Sequence, residues 1–178
     1  LEGRINYKDG RLSGLSEVYY ENGQLKSRGN FKDGIGLSEE YYEKGELRTR
    51  TNYKNEKQEG LSEIYYENGQ LKGRGNFKGG IGLMETYNEN GQLEGRINYK
   101  DGKEDGLVEV YYANGQLKGS GSYKEGNLNG LFEDYYENGQ LKRRGNFKDG
   151  NPDGLIVYFD EEGNPLKTEE YKEGVLQD

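Results

Sequence analysis

One phrase, YYENGQLK and its close variants, returns along this chain with its glycine at Gly23, Gly45, Gly69, Gly91, Gly115, Gly139 and Gly163. A Gly-Leu pair returns in step, at Leu15, Leu37, Leu61, Leu83, Leu107, Leu131 and Leu155, and both series advance by 22, 24, 22, 24, 24 and 24 residues. A unit this short cannot enclose a core of its own. It has to bury its apolar surface against the next copy, so a fixed period of this length specifies a stacked array.

The unit from Gly14 to Gly36 gives the local structure. Leu15 to Tyr20 is rich in β-forming residues and reads as a strand. Asn22-Gly23 follows, a strong signal for a two-residue hairpin turn with both residues at positive φ. Leu25 to Phe31 is the returning strand, and Lys32-Asp33-Gly34 reverses the chain again. With a two-residue turn, Tyr20 faces Leu25, Val18 faces Ser27, Glu17 faces Arg28 and Ser16 faces Gly29. The same rule sets Glu39 against Arg50, Glu63 against Arg74, Glu85 against Arg96 and Glu133 against Arg144, while Glu109 meets Ser120. Opposite charges directly across a ladder favour this register over a one-residue slip.

Strand alternation then separates two faces. One carries Ser16, Val18, Tyr20, Leu25, Gly29 and Phe31. The other carries Leu15, Glu17, Tyr19, Lys26, Arg28 and Asn30. Glycine inside a strand suggests strong bending or a ring lying over the backbone, so the face with Gly29 and Phe31 is expected to be concave and better buried. The 22-residue steps are ascribed to a shortened turn, DGIGL in place of DGRLSGL.

Composition fits a thin sheet. Only 30% of residues are hydrophobic and 33% are charged, yet 17 tyrosines fall in register. A single layer buries little and suits a ring with a polar tip. The net charge is −8 and no basic block occurs, so nucleic acid is excluded as a partner and membrane lipid is not expected. The chain has no histidine and no cysteine, which removes disulfides, thiolate metal sites and the usual nucleophile–base pairs. The glutamates form a repeating row, where a glycosidase needs a unique pair in a cleft. The Asp33, Asp101 and Asp149 turns offer too few oxygens for calcium. No catalytic residue, cofactor or metal is assigned.

The array has a longer rhythm as well. Residues 15–37 and 61–83 agree at 20 of 23 positions, making 46 residues a second-order unit. Leu1 to Gly10 is identical to Leu93 to Gly102, so the chain is expected to start mid-repeat on a return strand, as a piece of a longer array. At the other end EEGNPL replaces ENGQL, and Pro165 cannot donate to a ladder. The last repeat, from about residue 154, is read as a cap. The expectation is one all-β array over residues 1–178: about seven hairpins of 22–24 residues in an elongated, twisted and curved single-layer antiparallel meander. The opening strand would be a free edge, which favours end-to-end self-association.

The unit GLxExYYENGQLKxxGNFKDG resembles the MORN repeat in its bacterial second variant, over essentially the whole chain. Gly29-Asn30-Phe31, Gly75-Asn76-Phe77 and Gly145-Asn146-Phe147 match the Gly-x-aromatic element of the repeat, and Gly121-Ser122-Tyr123 matches with tyrosine. The variant often has tryptophan just after Gly-Leu, where this chain has Ser16, Ser38 and Ser62. Proteins with this variant include antitoxins of the YwqK type. The resemblance implies an elongated sheet that binds or scaffolds other proteins. On the residues no enzymatic activity is expected, and the compartment is left open between the bacterial cytoplasm and export to the surface. No signal peptide is read within the sequence. On the residues, the binding face would be lined by Tyr20, Phe31, Tyr42, Tyr66, Phe77, Tyr112, Tyr136 and Phe147, for a protein partner. The alternative is a secreted or surface-displayed adhesive or carbohydrate-binding module, since tyrosine ladders can stack sugar rings. Ladders that merely join successive repeats are the structural reading of the same tyrosines.

Overall fold

Wherever the repeat places a glycine corner the chain reverses, and between corners it is extended. The computed structural model describes residues 6–8 and 10–177, and these contain strands and turns but no helix. The chain divides into two units, residues 1–91 and 92–178. In the first, β1 (Tyr7–Lys8) and β2 (Arg11–Leu12) form a separate ribbon. They are followed by β3 (Gly14–Tyr19), β4 (Leu25–Lys32), β5 (Ile35–Tyr41), β6 (Leu47–Lys54), β7 (Lys57–Tyr65), β8 (Leu71–Lys78) and β9 (Ile81–Tyr87). The second unit holds β10 (Leu93–Lys100), β11 (Lys103–Tyr111), β12 (Leu117–Lys124), β13 (Asn127–Tyr135), β14 (Leu141–Lys148), β15 (Asn151–Phe159), β16 (Pro165–Lys172) and β17 (Val175–Leu176). From β3 to β9, and again from β10 to β17, each strand pairs antiparallel with its sequence neighbours, so each unit contains an open meander. The return strand expected at residues 1–8 lies for the most part outside the described residues.

The Asn-Gly corners differ from the two-residue turn that the dipeptide suggests. The Tyr20 N–H donates to the Gln24 carbonyl at 2.8 Å, and the Gly23 N–H donates to the Tyr20 carbonyl at 2.9 Å. The loop is therefore three residues long, Glu21-Asn22-Gly23, with only its glycine left-handed, at φ 85°. Asn22 keeps negative φ because its side-chain oxygen accepts the Gln24 N–H at 2.9 Å, an Asx-type bond that holds the turn. Next to the corner Tyr19, rather than Tyr20, faces Leu25. A bulge between Val18 and Tyr19 then restores the expected pairing: Val18 with Ser27, Glu17 with Arg28 and Ser16 with Gly29. Glu39–Arg50, Glu63–Arg74, Glu109–Ser120 and Glu133–Arg144 are likewise paired as the sequence requires.

The mirror-image turn with two positive φ values occurs at the opposite corners, where Asp33 (52°) and Gly34 (78°) join β4 to β5. Asn55-Glu56 fills the same place with no glycine, and Glu56 is held at φ 65°. These turns are two residues long in the 22-residue and 24-residue steps alike, so the shortened-turn explanation is wrong. The two additional residues sit after the turn, in a bulge. Across β6 and β7, Tyr53 pairs Gln58 but Thr51 pairs Ser62, with Gly60 left-handed between them. No such shift interrupts β4–β5 or β8–β9.

Burial follows the predicted alternation. Along β8, Gly73, Gly75 and Phe77 are buried while Lys72, Arg74 and Asn76 are exposed. A Cβ on Gly75 would lie 2.7 Å from the Phe77 ring, so that glycine is there to let an aromatic lie on the backbone. The face that carries Gly29 and Phe31 is the better buried one, and it holds the buried Phe77, Met84 and Ile156. Two expectations follow for the corners. Gly69→Val should lower the melting temperature well below that of Glu67→Ala, because a β-branched residue opposes φ 81° whereas Glu67 makes only an exposed ion pair. Glu56→Gly should raise stability by up to about 1 kcal/mol, by relieving a left-handed non-glycine residue. Denaturant unfolding measures both, and equal midpoints for Gly69→Val and Glu67→Ala would overturn the corner assignment.

Candidate binding face

The second tyrosine of each YY pair begins a corner and reaches into the next repeat. The Tyr20 hydroxyl donates to the Tyr41 carbonyl at 2.7 Å, Tyr42 to Tyr65 at 2.8 Å and Tyr66 to Tyr87 at 2.9 Å. In the second unit Tyr112 donates to Tyr135 at 2.7 Å and Tyr136 to Phe159 at 2.9 Å. Asparagines of the same corners run alongside: Asn22 donates to the Glu43 carbonyl and Asn138 to that of Glu161. These rings are half-buried, and each carries a cation. Lys26 lies 5.6 Å from the Tyr20 ring centre, Arg48 5.9 Å from Tyr42, Lys72 5.2 Å from Tyr66, Lys118 5.6 Å from Tyr112 and Lys142 5.5 Å from Tyr136. Strict alternation put Lys26 on the face opposite Tyr20. The bulge in β3 beside the corner nevertheless brings the Tyr20 ring within reach of Lys26, a proximity that no sequence pattern reveals.

The first tyrosines serve the other face. The Tyr19 hydroxyl donates to Glu17 at 2.8 Å, and Glu17 also holds Arg28 at 3.2 Å. Tyr41, Glu39 and Arg50 repeat the arrangement. The carboxylate bond raises the Tyr19 hydroxyl pKa above its ordinary value. Burial, seconded by the bond to Glu133, pushes Tyr135 up to about 12. Between these clusters stand leucines 15, 61, 83, 107, 131 and 155, each between 38 and 55% exposed. Their cross-strand neighbours are largely asparagines, as in Leu15–Asn30, Leu61–Asn76 and Leu131–Asn146. The leucines are therefore separated, and do not form a continuous apolar patch.

The phenylalanines lie elsewhere than the corner tyrosines. Phe77 is 4% exposed and works as packing. Phe147 meets Phe132 edge-on, with ring centres 5.5 Å apart. Phe31 is half-buried, and its ring centre is 6.4 Å from that of Tyr53. Beside these two rings the face of the first unit opens into a cleft of about 550 Å3. Ser16, Val18, Ser27, Ser38 and Glu56 contribute to its walls. Its size lies within the range of ligand pockets. Tyr53, Ser27, Ser38 and Glu56 do not stand out in a single repeat. Superposing the repeats marks the serines, because the position of Ser16 and Ser38 carries Met84, Phe132 and Ile156 in later copies. So the expected site residues are not one surface: Phe31 borders the cleft, Phe77 and Phe147 pack the sheet, and the five tyrosines line the corners.

Six consecutive segments, residues 12–33, 35–55, 58–78, 81–101, 104–125 and 128–149, match the MORN repeat variant. This chain belongs to that family. Each matched segment covers one glycine-cornered hairpin and its flanking strands, and the matches end before the corner at Gly163. No curated protein matches the chain. Among solved structures, TarM aligns at 14% identity and a TM-score of 0.38, over 52% of this chain and 20% of that one. A TarM mutant from S. aureus in complex with Fondaparinux, alpha-GlcNAc-glycerol and UDP aligns at 13% identity and a TM-score of 0.38, over 51% of this chain and 20% of that one. The chain thus spans about a fifth of the length of these structures.

Two outcomes test the roles assigned here. Tyr112→Phe removes a part-buried hydroxyl from the Tyr135 carbonyl and should cost about 1 kcal/mol of stability in denaturant unfolding. Alkali should act more broadly. A tyrosine whose folded pKa is raised keeps its full contribution below the unfolded value of 10.0 and loses it as pH climbs towards the folded value, about 12 for Tyr135. Melting temperature should therefore hold up to about pH 10 and fall above it, in parallel with tyrosinate absorbance. A flat profile through that window would contradict the Tyr–Glu bonds.

Proposed function

We propose that this MORN repeat array is a non-enzymatic scaffold that binds a protein partner through the aromatic-lined Gly–Phe face of its sheet. The observation that carries the reading is the cleft beside Phe31 and Tyr53, a ligand-sized concavity on a sheet face whose rings supply contact area. Aromatic side chains are enriched at protein interfaces because they bury much surface for few rotatable bonds. Within each unit the corner tyrosines, Tyr20, Tyr42 and Tyr66 in the first and Tyr112 and Tyr136 in the second, offer further ring area at the turns. Their hydroxyls are committed to the next repeat, while the cation-topped rings retain part of their exposure. Covering a toxin, as an antitoxin does, is one form that such a scaffold takes.

Affinity capture with the full chain tests the face. Ser38→Lys places a positive charge in the cleft without removing a structural ring, and Leu131→Lys does the same on the Glu–Arg face. Both variants should fold, as judged by circular dichroism. A partner captured stoichiometrically by the unaltered chain should be lost with Ser38→Lys and retained with Leu131→Lys. The reverse pattern would move the interface to the other face.

A further inference from the structure

The two units treat the same face differently, and the difference defines an occupant. In the second unit Phe132 follows Gly-Leu, and its ring meets Phe147 at 5.5 Å. Arg143 closes the arrangement from the neighbouring strand. Its guanidinium carbon lies 4.9 Å from the Phe132 ring centre, and its Nη2 lies 2.6 Å from the Asp134 carboxylate. Counting from the corner glycines, the residue at the Phe132 position in the first hairpin is Ser16, and the one at the Arg143 position is Ser27. A phenyl ring and a guanidinium are thus replaced by two hydroxymethyl groups, and the cleft of about 550 Å3 opens where they are missing. Three rings line the cleft, Tyr7, Phe31 and Tyr53, with Arg28 at its wall; Phe31 and Tyr53, which stand 6.4 Å apart, differ from the corner tyrosines in having no stacked cation among the described residues.

We propose that this cleft takes an arginine side chain, together with an adjacent aromatic side chain, from a protein partner. The proposal rests on the scaffold reading and supplies the chemistry of its ligand. The guanidinium stacks over the Phe31 and Tyr53 rings, as Arg143 stacks over Phe132. Glu56, on the cleft wall, plays the part of Asp134 and pairs with the charge. The Ser27 and Ser38 hydroxyls accept the remaining N–H groups. The partner's ring fills the space that Phe132 fills in the second unit. Arg28 offers little repulsion, because its own guanidinium is held by Glu17. The chain's net charge of −8 favours approach of a basic segment.

The test is a titration of isotope-labelled full chain, followed through its backbone amides. The probes are acetyl-Phe-Arg-amide and its citrulline counterpart, which keeps the shape and loses the charge. Shifts are expected at Ser27, Gly29, Phe31, Ser38 and Glu56, with the citrulline peptide about tenfold weaker. Ser27→Arg, which copies Arg143, should abolish the shifts while leaving the rest of the spectrum in place. Glu56→Gln should weaken binding several-fold. Equal binding of the two peptides, shifts scattered over both units, or a Ser27→Arg titration like that of the unaltered chain would each overturn the proposal. Capture of a partner that survives Ser27→Arg but not Ser38→Lys would remove the arginine site and leave the scaffold. Peptide binding with no loss of capture in Ser38→Lys would leave the site and remove the scaffold reading.

Discussion

The three-residue corner closed by a left-handed glycine is the constraint on which this structure depends. Gly23 and its equivalents take φ values that other residues adopt at a cost, and they fix where the chain reverses. The reversal sets which tyrosine stands at the corner. That tyrosine then donates to a carbonyl one repeat away, with the corner asparagine beside it. A local backbone preference thereby becomes a bond between repeats. With so few hydrophobic residues, such bonds between neighbours do the work that a deep core does in a globular domain.

The two faces divide the remaining tasks. On the Gly–Phe face, glycines admit rings onto the backbone, and the residue after Gly-Leu determines how full each repeat is. Met84 and Ile156 fill it. Ser62 is buried too, but as half of a hydroxyl pair with Thr51 at 2.9 Å. Ser16 and Ser38 border the cleft instead. On the opposite face, glutamates bridge a tyrosine hydroxyl and an arginine in register, with exposed leucines between asparagines. Pairs of this kind contribute little individually, roughly 0.2–1 kcal/mol when exposed, and act mainly to specify register.

A repeat array of this kind offers function by variation between copies. The frame is the same throughout, so copies differ in what they place on it. The first hairpin has Ser16 and Ser27 where the Phe132–Arg143 hairpin has a ring and a guanidinium. The family supplies the repeat frame, and under the proposed reading these differences between copies would give it a place to hold a partner.

Much of the fold was legible in the residues. The glycine and leucine series determine the strands, the antiparallel meander and the alternation of faces, because corners demand left-handed backbone and half-buried strands demand period two. The facing Glu and Arg residues determine the mid-strand register, which survived an incorrect turn type because one bulge offset the added loop residue. Only the tertiary structure decided how that offset is distributed. It brought the Tyr20 ring within reach of Lys26, placed the 24-residue steps in Gly60-type bulges, and separated the expected aromatic set into corner rings, packing and a cleft wall. The physical reason is that a bulge is a cooperative compromise between two strands. No single repeat encodes it, whereas backbone chirality and strand pleat act residue by residue.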